Sequence, residues 1–246
     1  MLNSSKRWQL LASQPFRWYL ISCFLLTIGG GLQYINLTWL VLQAHNSVRS
    51  VAFLMLSFWV PVVLLGPIAG VIADRYSRRW IMIIGNFVRA ILLVIFCLMW
   101  LTGWSIQVWQ ICVMNIFMGT ALGFVFPAVM SYVREIVKPE QLLYANANVD
   151  IAYEIGNVVG MGAAGILLAV MSIYAALLLN ALCFFLGCIA LIISKVPVRP
   201  AKKIVEQHWL LGIYKDYSAG LRYLFERKRL CILYVAQLFE MVIFMV

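Results

Sequence analysis

The stretch GPIAGVIADRYSRR, Gly66–Arg79, decides how this chain is read. It closes an apolar run, Val51–Ala73, long enough to cross a bilayer, which takes roughly 20 residues as a helix. It then turns abruptly into Asp74, Arg75, Arg78 and Arg79. A charged knot at the end of a lipid-compatible run marks a membrane boundary, and the rest of the chain repeats the pattern. Hydrophobic residues make up 64% of the sequence and charged residues 11%. A soluble domain is about half apolar and a quarter charged, so the chain is expected to be an integral membrane protein.

Working outward from the knot, six spans are expected: Trp18–Gln43, Val51–Ala73, Trp80–Leu101, Ser105–Val133, Leu142–Met171 and Ile173–Ser194. The runs are continuous and do not alternate, which favours helices over barrel strands. The first span is too long for a signal peptide's apolar core of about 7–15 residues. The expected organisation is a six-helix bundle over 1–194, a linker over 195–229 and the start of a seventh helix over 230–246. In the linker, Trp209, Ile213, Tyr217, Leu221 and Phe225 recur every four residues beside Lys215, Arg222 and Arg227. That pattern suits an amphipathic helix lying on membrane lipid. The seventh run opens at Leu230 and reaches Val246 with Glu240 inside it, which reads as part of a longer protein.

Charge sets the expected orientation. Lys6, Arg7 and Arg17 precede the first span. Arg75, Arg78, Arg79, Arg134, Lys138, Lys195, Arg199, Lys202 and Lys203 occupy alternate loops, and the other loops carry Arg49 alone. The positive-inside rule then puts the N-terminus in the cytoplasm. The net charge of +10 is accounted for by topology; no basic face on a soluble fold suggests a nucleic-acid partner. Cys23, Cys97, Cys112, Cys183, Cys188 and Cys231 lie in or beside apolar spans with no CxxC spacing, and read as small hydrophobes. His45 and His208 fall outside the spans. No metal, cofactor or enzymatic chemistry is expected from this set.

Glycines suggest an internal repeat. Gly29, Gly30 and Gly31 in the first span correspond to Gly119 and Gly123 in the fourth. Gly66, Pro67 and Gly70 in the second correspond to Gly156, Gly160, Gly162 and Gly165 in the fifth. The third and sixth have Gly85 and Gly187. Small residues allow helix backbones to approach closely. The expectation is that the first two helices of each triplet pack together and the third is peripheral. An odd number of spans per repeat inverts the second copy, a transporter signature.

Polar residues inside spans define candidate sites. Asp150 and Glu154 are four residues apart on one face of the fifth span. They lie about 12 and 18 Å deep when counted from Leu142 at 1.5 Å per residue. Arg89 of the third span lies about 13 Å deep from the same side, so an Arg89–Asp150 ion pair is expected, leaving Glu154 as a proton-coupling group, with Asp150 beside it. A substrate cavity is expected from Gln33, Tyr34, Asn36, Asn115, Thr120, Asn146 and Asn157, with Asn148 nearby; polar groups at membrane depth face a bundle interior or a wet cavity.

The knot GVIADRYSRR resembles the loop signature of the major facilitator superfamily, G-x-x-x-D-R-x-G-R-R/K. Gly70, Asp74, Arg75, Arg78 and Arg79 match it, and Ser77 stands where that family has Gly, which implies a more strained turn. The resemblance implies a conformational latch in which Asp74 contacts a second six-helix half when one side closes. FPAVMSYVREIVKPEQLLYANAN, Phe126–Asn148, is similar to the join of the fourth and fifth helices in the enterobactin-exporter and macrolide-efflux branch, through Phe126, Pro127, Glu135, Val137, Glu140, Leu142, Ala145 and Asn146. Val129 stands where that branch has Arg. GNVVGMGAAG, Gly156–Gly165, is similar to the fifth-helix antiporter motif through Gly160 and Gly165, with Met161 and Ala164 departing from it. The resemblance implies the N-terminal half of a secondary transporter in a bacterial inner membrane, exporting a small molecule such as a drug or siderophore, with the other half missing from this chain; proton coupling is expected from Glu154 and not from the resemblance. The alternatives are a six-helix homo-oligomeric carrier or channel, or a non-transporting truncated product.

Overall fold

The structure is a computed structural model that describes residues 10, 12–45, 47–103 and 107–194, together with positions 227, 232 and 236. The chain divides into two units, Met1–Ala201 and Lys202–Val246. The expected linker helix and seventh span lie outside the described residues, apart from those three positions.

The first unit is a bundle of long helices: α1 Gln14–His45, α2 Val48–Arg75, α3 Arg78–Leu101, α4 Val108–Ile136, α5 Leu142–Val170 and α6 Ile173–Ile193. A single 3₁₀ turn, Pro139–Gln141, precedes α5. Six helices among the described residues are long and apolar enough to cross a membrane, so the chain is a multi-pass membrane protein with an all-α fold. The observed helices overlap the expected spans closely. The first begins earlier than expected, at Gln14, and the fourth begins later, at Val108, because Gln107 caps α4 through a reciprocal bond with Gln110 and so fixes its start.

Packing follows a two-fold rule. α1 lies along α5 and α6, α4 lies along α2 and α3, and α3 and α6 face each other. Exchanging α1 with α4, α2 with α5 and α3 with α6 leaves this pattern unchanged, as an inverted repeat requires. The expected pairing inside each triplet is corrected, because the close contacts run between triplets. A Cβ on Gly31 would come within 2.6 Å of the Asn157 carbonyl oxygen of α5, and one on Gly160 would meet the Ile28 backbone of α1. The symmetry-related glycines Gly119 and Gly123 of α4 lie against the Phe58 and Val62 backbone of α2. The third helices are also not peripheral. About half of the span in α3 and in α6 is buried, against 6% in α2 and 22% in α5. Each third helix touches two neighbours along its length, whereas α2 and α5 each have one main partner.

Candidate functional site

At the basic end of the bundle, the α2–α3 connection acts as a brace. Arg78 Nη2 donates to Asp74 Oδ1 at 3.0 Å, and Arg78 Nη1 donates to Glu135 Oε1 and to the Ser131 carbonyl, both at 3.1 Å. Its Nε donates to the Ala73 carbonyl at 3.2 Å. One guanidinium therefore fastens the end of α2 to the end of α4. Arg79 does the same for α6, donating to the Leu191 carbonyl at 2.9 Å and to the Ile192 carbonyl. The last carbonyls of a helix lack intrahelical partners and carry partial negative charge, so a cation there is favourable. Ser194 Oγ adds a bond to the Pro15 carbonyl at the start of α1.

Asp74 remains largely exposed while paired with Arg78, and Gly70 has open space where a Cβ would point. Arg75 ends α2. Ser77 sits at φ −63°, ψ 113°, an extended region open to any residue. The strain expected from replacing Gly is absent.

A second polar system crosses the bundle interior. Arg89 of α3 is buried, with Nη2 donating to Gln33 Oε1 of α1 at 2.9 Å and Nη1 donating to Asn86 Oδ1 at 3.2 Å. Its guanidinium carbon lies 4.1 Å from the centre of the Phe184 ring of α6, a cation–π contact. Gln33 Nε2 donates weakly to Asn115 Oδ1 at 3.4 Å, and Asn115 Nδ2 donates to the Leu54 carbonyl of α2 at 2.8 Å and to Ser57 Oγ at 3.2 Å. Asn180 of α6 is fully buried, and its amide bridges the Gly29 carbonyl at 2.8 Å and the Gln33 N–H at 3.1 Å. The network thus ties α3, α1, α4, α2 and α6 together. Asn36, one turn beyond Gln33, is also buried, and neither its Oδ1 nor its Nδ2 has a partner among the described residues.

The expected Arg89–Asp150 pair is not formed. Arg89 bonds to Gln33 and Asn86 instead, and Asp150 is exposed. Equal depth placed the two residues at one height, but they point in different directions: Arg89 faces α1 and α6, and Asp150 faces outward from α5. Asn146, Asp150, Glu154 and Asn157 form one exposed stripe along α5, whereas Asn148 is buried. Gln33 and Asn115 meet inside the bundle, Thr120 is half-buried, and Tyr34 is exposed. Gly156 and Gly160 pack against α1, while Gly162 and Gly165 have open space. Sequence reasoning missed Asn86, Asn180 and Ser57. Each is a polar residue inside an apolar span, the signal that had flagged the others. The described residues hold no cluster of metal-ligating side chains.

Helices with inverted three-plus-three packing and a charged brace at one end define a polytopic bundle of the secondary-transporter class. The family model of the Major Facilitator Superfamily matches residues 10–246, and the chain belongs to that superfamily. It is 30% identical over 155 residues to YfiS of Bacillus subtilis, an uncharacterized MFS-type transporter, covering 63% of this chain and 36% of that protein. It is 26% identical over 175 residues to Multidrug resistance protein 2 of Bacillus subtilis, covering 70% and 40%. It is 23% identical over 206 residues to the Staphyloferrin A transporter of Staphylococcus aureus, covering 82% and 51%. The chain spans between about a third and a half of the length of these relatives.

Proposed function

We propose that this bundle is one half of a proton-coupled exporter of a small molecule, a drug or a siderophore, and that it works by rocking against a second six-helix half. The observation that carries this reading is the stripe Asn146, Asp150, Glu154 and Asn157 on the exposed side of α5. Ionisable groups at membrane depth cost at least about 2.5–3.5 kcal/mol each when they face lipid. That side of α5 therefore faces water or protein, as the wall of a central cavity would. Glu154, about 18 Å along α5 from Leu142, is placed to gain and lose a proton there. Asp74, exposed at the basic end, is the latch residue toward the second half. The basic end is cytoplasmic in this reading, the N-terminus with it, and the membrane is the bacterial inner membrane. The relatives that are named for drug and siderophore transport support the substrate range.

The test uses everted membrane vesicles containing this bundle joined to a second half from the same superfamily. Ethidium added to energised vesicles should collapse part of the pH gradient. Glu154→Gln should abolish that response while the protein still assembles, and the 246-residue chain alone should move no ethidium. Unchanged proton movement in Glu154→Gln would refute the coupling role.

A further inference from the structure

Among the Lys and Arg residues of the six helices and their loops, Arg49 alone stands at the end of the bundle opposite Arg75, Arg78 and Arg79. It lies in the first turn of α2 and is exposed. The sequence has no Asp or Glu at positions 10–73, 75–134 or 155–194, so no carboxylate of the six helices stands at that end. Below Arg49 is a groove of about 430 Å³ between the starts of α2 and α4. Phe53 and Leu56 of α2 and Val108 and Trp109 of α4 line it, together with Ser57 and Cys112. The Ser57 hydroxyl donates to the Leu54 carbonyl at 2.7 Å and accepts from Asn115 at 3.2 Å, and Trp109 Nε1 donates to Gln107 Oε1 at 3.1 Å. Each of these side chains has its one donor in use, so they ask for no polar occupant and the groove suits an alkyl chain. Arg49, Phe53 and Leu56 are spaced i, i+4, i+7 and share one side of α2. Phe53 and Leu56 lie about 6 and 10 Å further along the helix than Arg49. The exposed side chains that continue this side, Val60 and Leu64 of α2 with Val113 and Phe117 of α4, are all apolar, unlike the polar stripe of α5. The groove therefore opens toward lipid. A cation at the helix end with an apolar groove running inward from it matches the phosphate and acyl chain of a phospholipid.

We propose that Arg49 and the groove beneath it bind one phospholipid of the leaflet opposite the basic end, with the guanidinium on the phosphate and one acyl chain between α2 and α4. A guanidinium pairs with phosphate through two parallel charge-assisted bonds. The acyl chain exchanges one apolar surrounding for another, so its contribution is van der Waals contact in a groove that helix packing leaves open. The bound lipid gives α2 a second neighbour along a stretch that is only 6% buried in the bundle. The site needs the membrane-spanning fold alone and does not rest on the transport reading above.

The test uses the full 246-residue chain in phosphatidylglycerol nanodiscs. The probe is phosphatidylglycerol with a photoactivatable diazirine in its acyl chain, and the comparison is diacylglycerol with the same diazirine but no phosphate. Labelled residues are mapped by mass spectrometry. Ile95 and Leu98 of α3, exposed toward the same end of the bundle, report general lipid contact. The phospholipid should label Phe53, Leu56 and Trp109 several-fold above α3, and diacylglycerol should label both places alike. Arg49→Gln should lower phospholipid labelling of the groove about fivefold and leave α3 unchanged. Leu56→Trp should fill the groove and block its labelling. Arg49 and Leu56 are exposed, so both variants should fold, and the comparison of groove with α3 in the unmodified chain needs no variant. Equal labelling of groove and α3 by the phospholipid, the same preference shown by diacylglycerol, or undiminished groove labelling in Arg49→Gln would each overturn the proposal. So would loss of groove labelling on addition of ethidium, which would make the groove a drug site. Cross-links from the groove to a second copy of the chain in place of lipid would overturn it as well.

Discussion

Arg78 and Arg79 are adjacent, yet they anchor different helices, and their substitutions should differ accordingly. Arg78→Ala removes bonds to Asp74, Glu135 and two carbonyls. The partners are partly exposed, so solvent screening limits the loss to about 1–2 kcal/mol. The check is a thermal melt of the detergent-solubilised protein, with accelerated hydrogen exchange confined to the adjoining ends of α2 and α4. Arg79→Ala should instead loosen the end of α6, where Leu191 and Ile192 lose their donor. If both variants loosen the same helix, the two-anchor description is wrong. The spacing of the knot was legible in the sequence, but the partners were not, because carbonyls of remote helices leave no trace in a local motif.

Glycines that look alike in sequence divide into two groups at the scale of the helix. Gly119 has no room for a methyl group, because the Phe58 backbone of α2 lies against it, whereas Gly66 and Gly70 have open space. Gly119→Ala should destabilise the bundle by about 1–3 kcal/mol through overpacking. Gly66→Ala and Gly70→Ala should leave it unchanged or add up to about 1 kcal/mol through helix propensity. Denaturation in graded sodium dodecyl sulfate would separate the two outcomes. Asn180 supports α1 at its weakest point, next to the Gly29–Gly31 run. Asn180→Leu removes the bonds to the Gly29 carbonyl and the Gln33 N–H, and the Gln33 amide should then exchange faster. Unchanged exchange at Gln33 would show that Asn180 does not support the segment.

At the scale of the molecule, the pairing between triplets makes a direct prediction. Phe87 of α3 and Phe185 of α6 have ring centres 6.4 Å apart. In a background without native cysteines, Phe87→Cys with Phe185→Cys should cross-link within one chain, and the yield should not fall on dilution. Cross-linking solely between chains would argue against the inverted-repeat packing. The uncovered sides of α2 and α5 follow from the same arrangement. Each lies on a helix with one main partner, and on α5 that side carries Asp150 and Glu154.

Length and hydropathy determined that the chain is a membrane bundle and where its helices run, because the cost of leaving backbone groups unpaired in lipid admits few alternatives. The sequence also showed the charged knot and the superfamily it resembles, since both depend on residues close together in the chain. Tertiary structure alone decided which helices touch, that Arg89 meets Gln33 and Asn86 but not Asp150, and which glycines sit against a neighbouring backbone. Spacing along a helix gives height and relative angle within that helix. It carries no information on which way the helix is turned toward its neighbours, and packing across the bundle sets that angle.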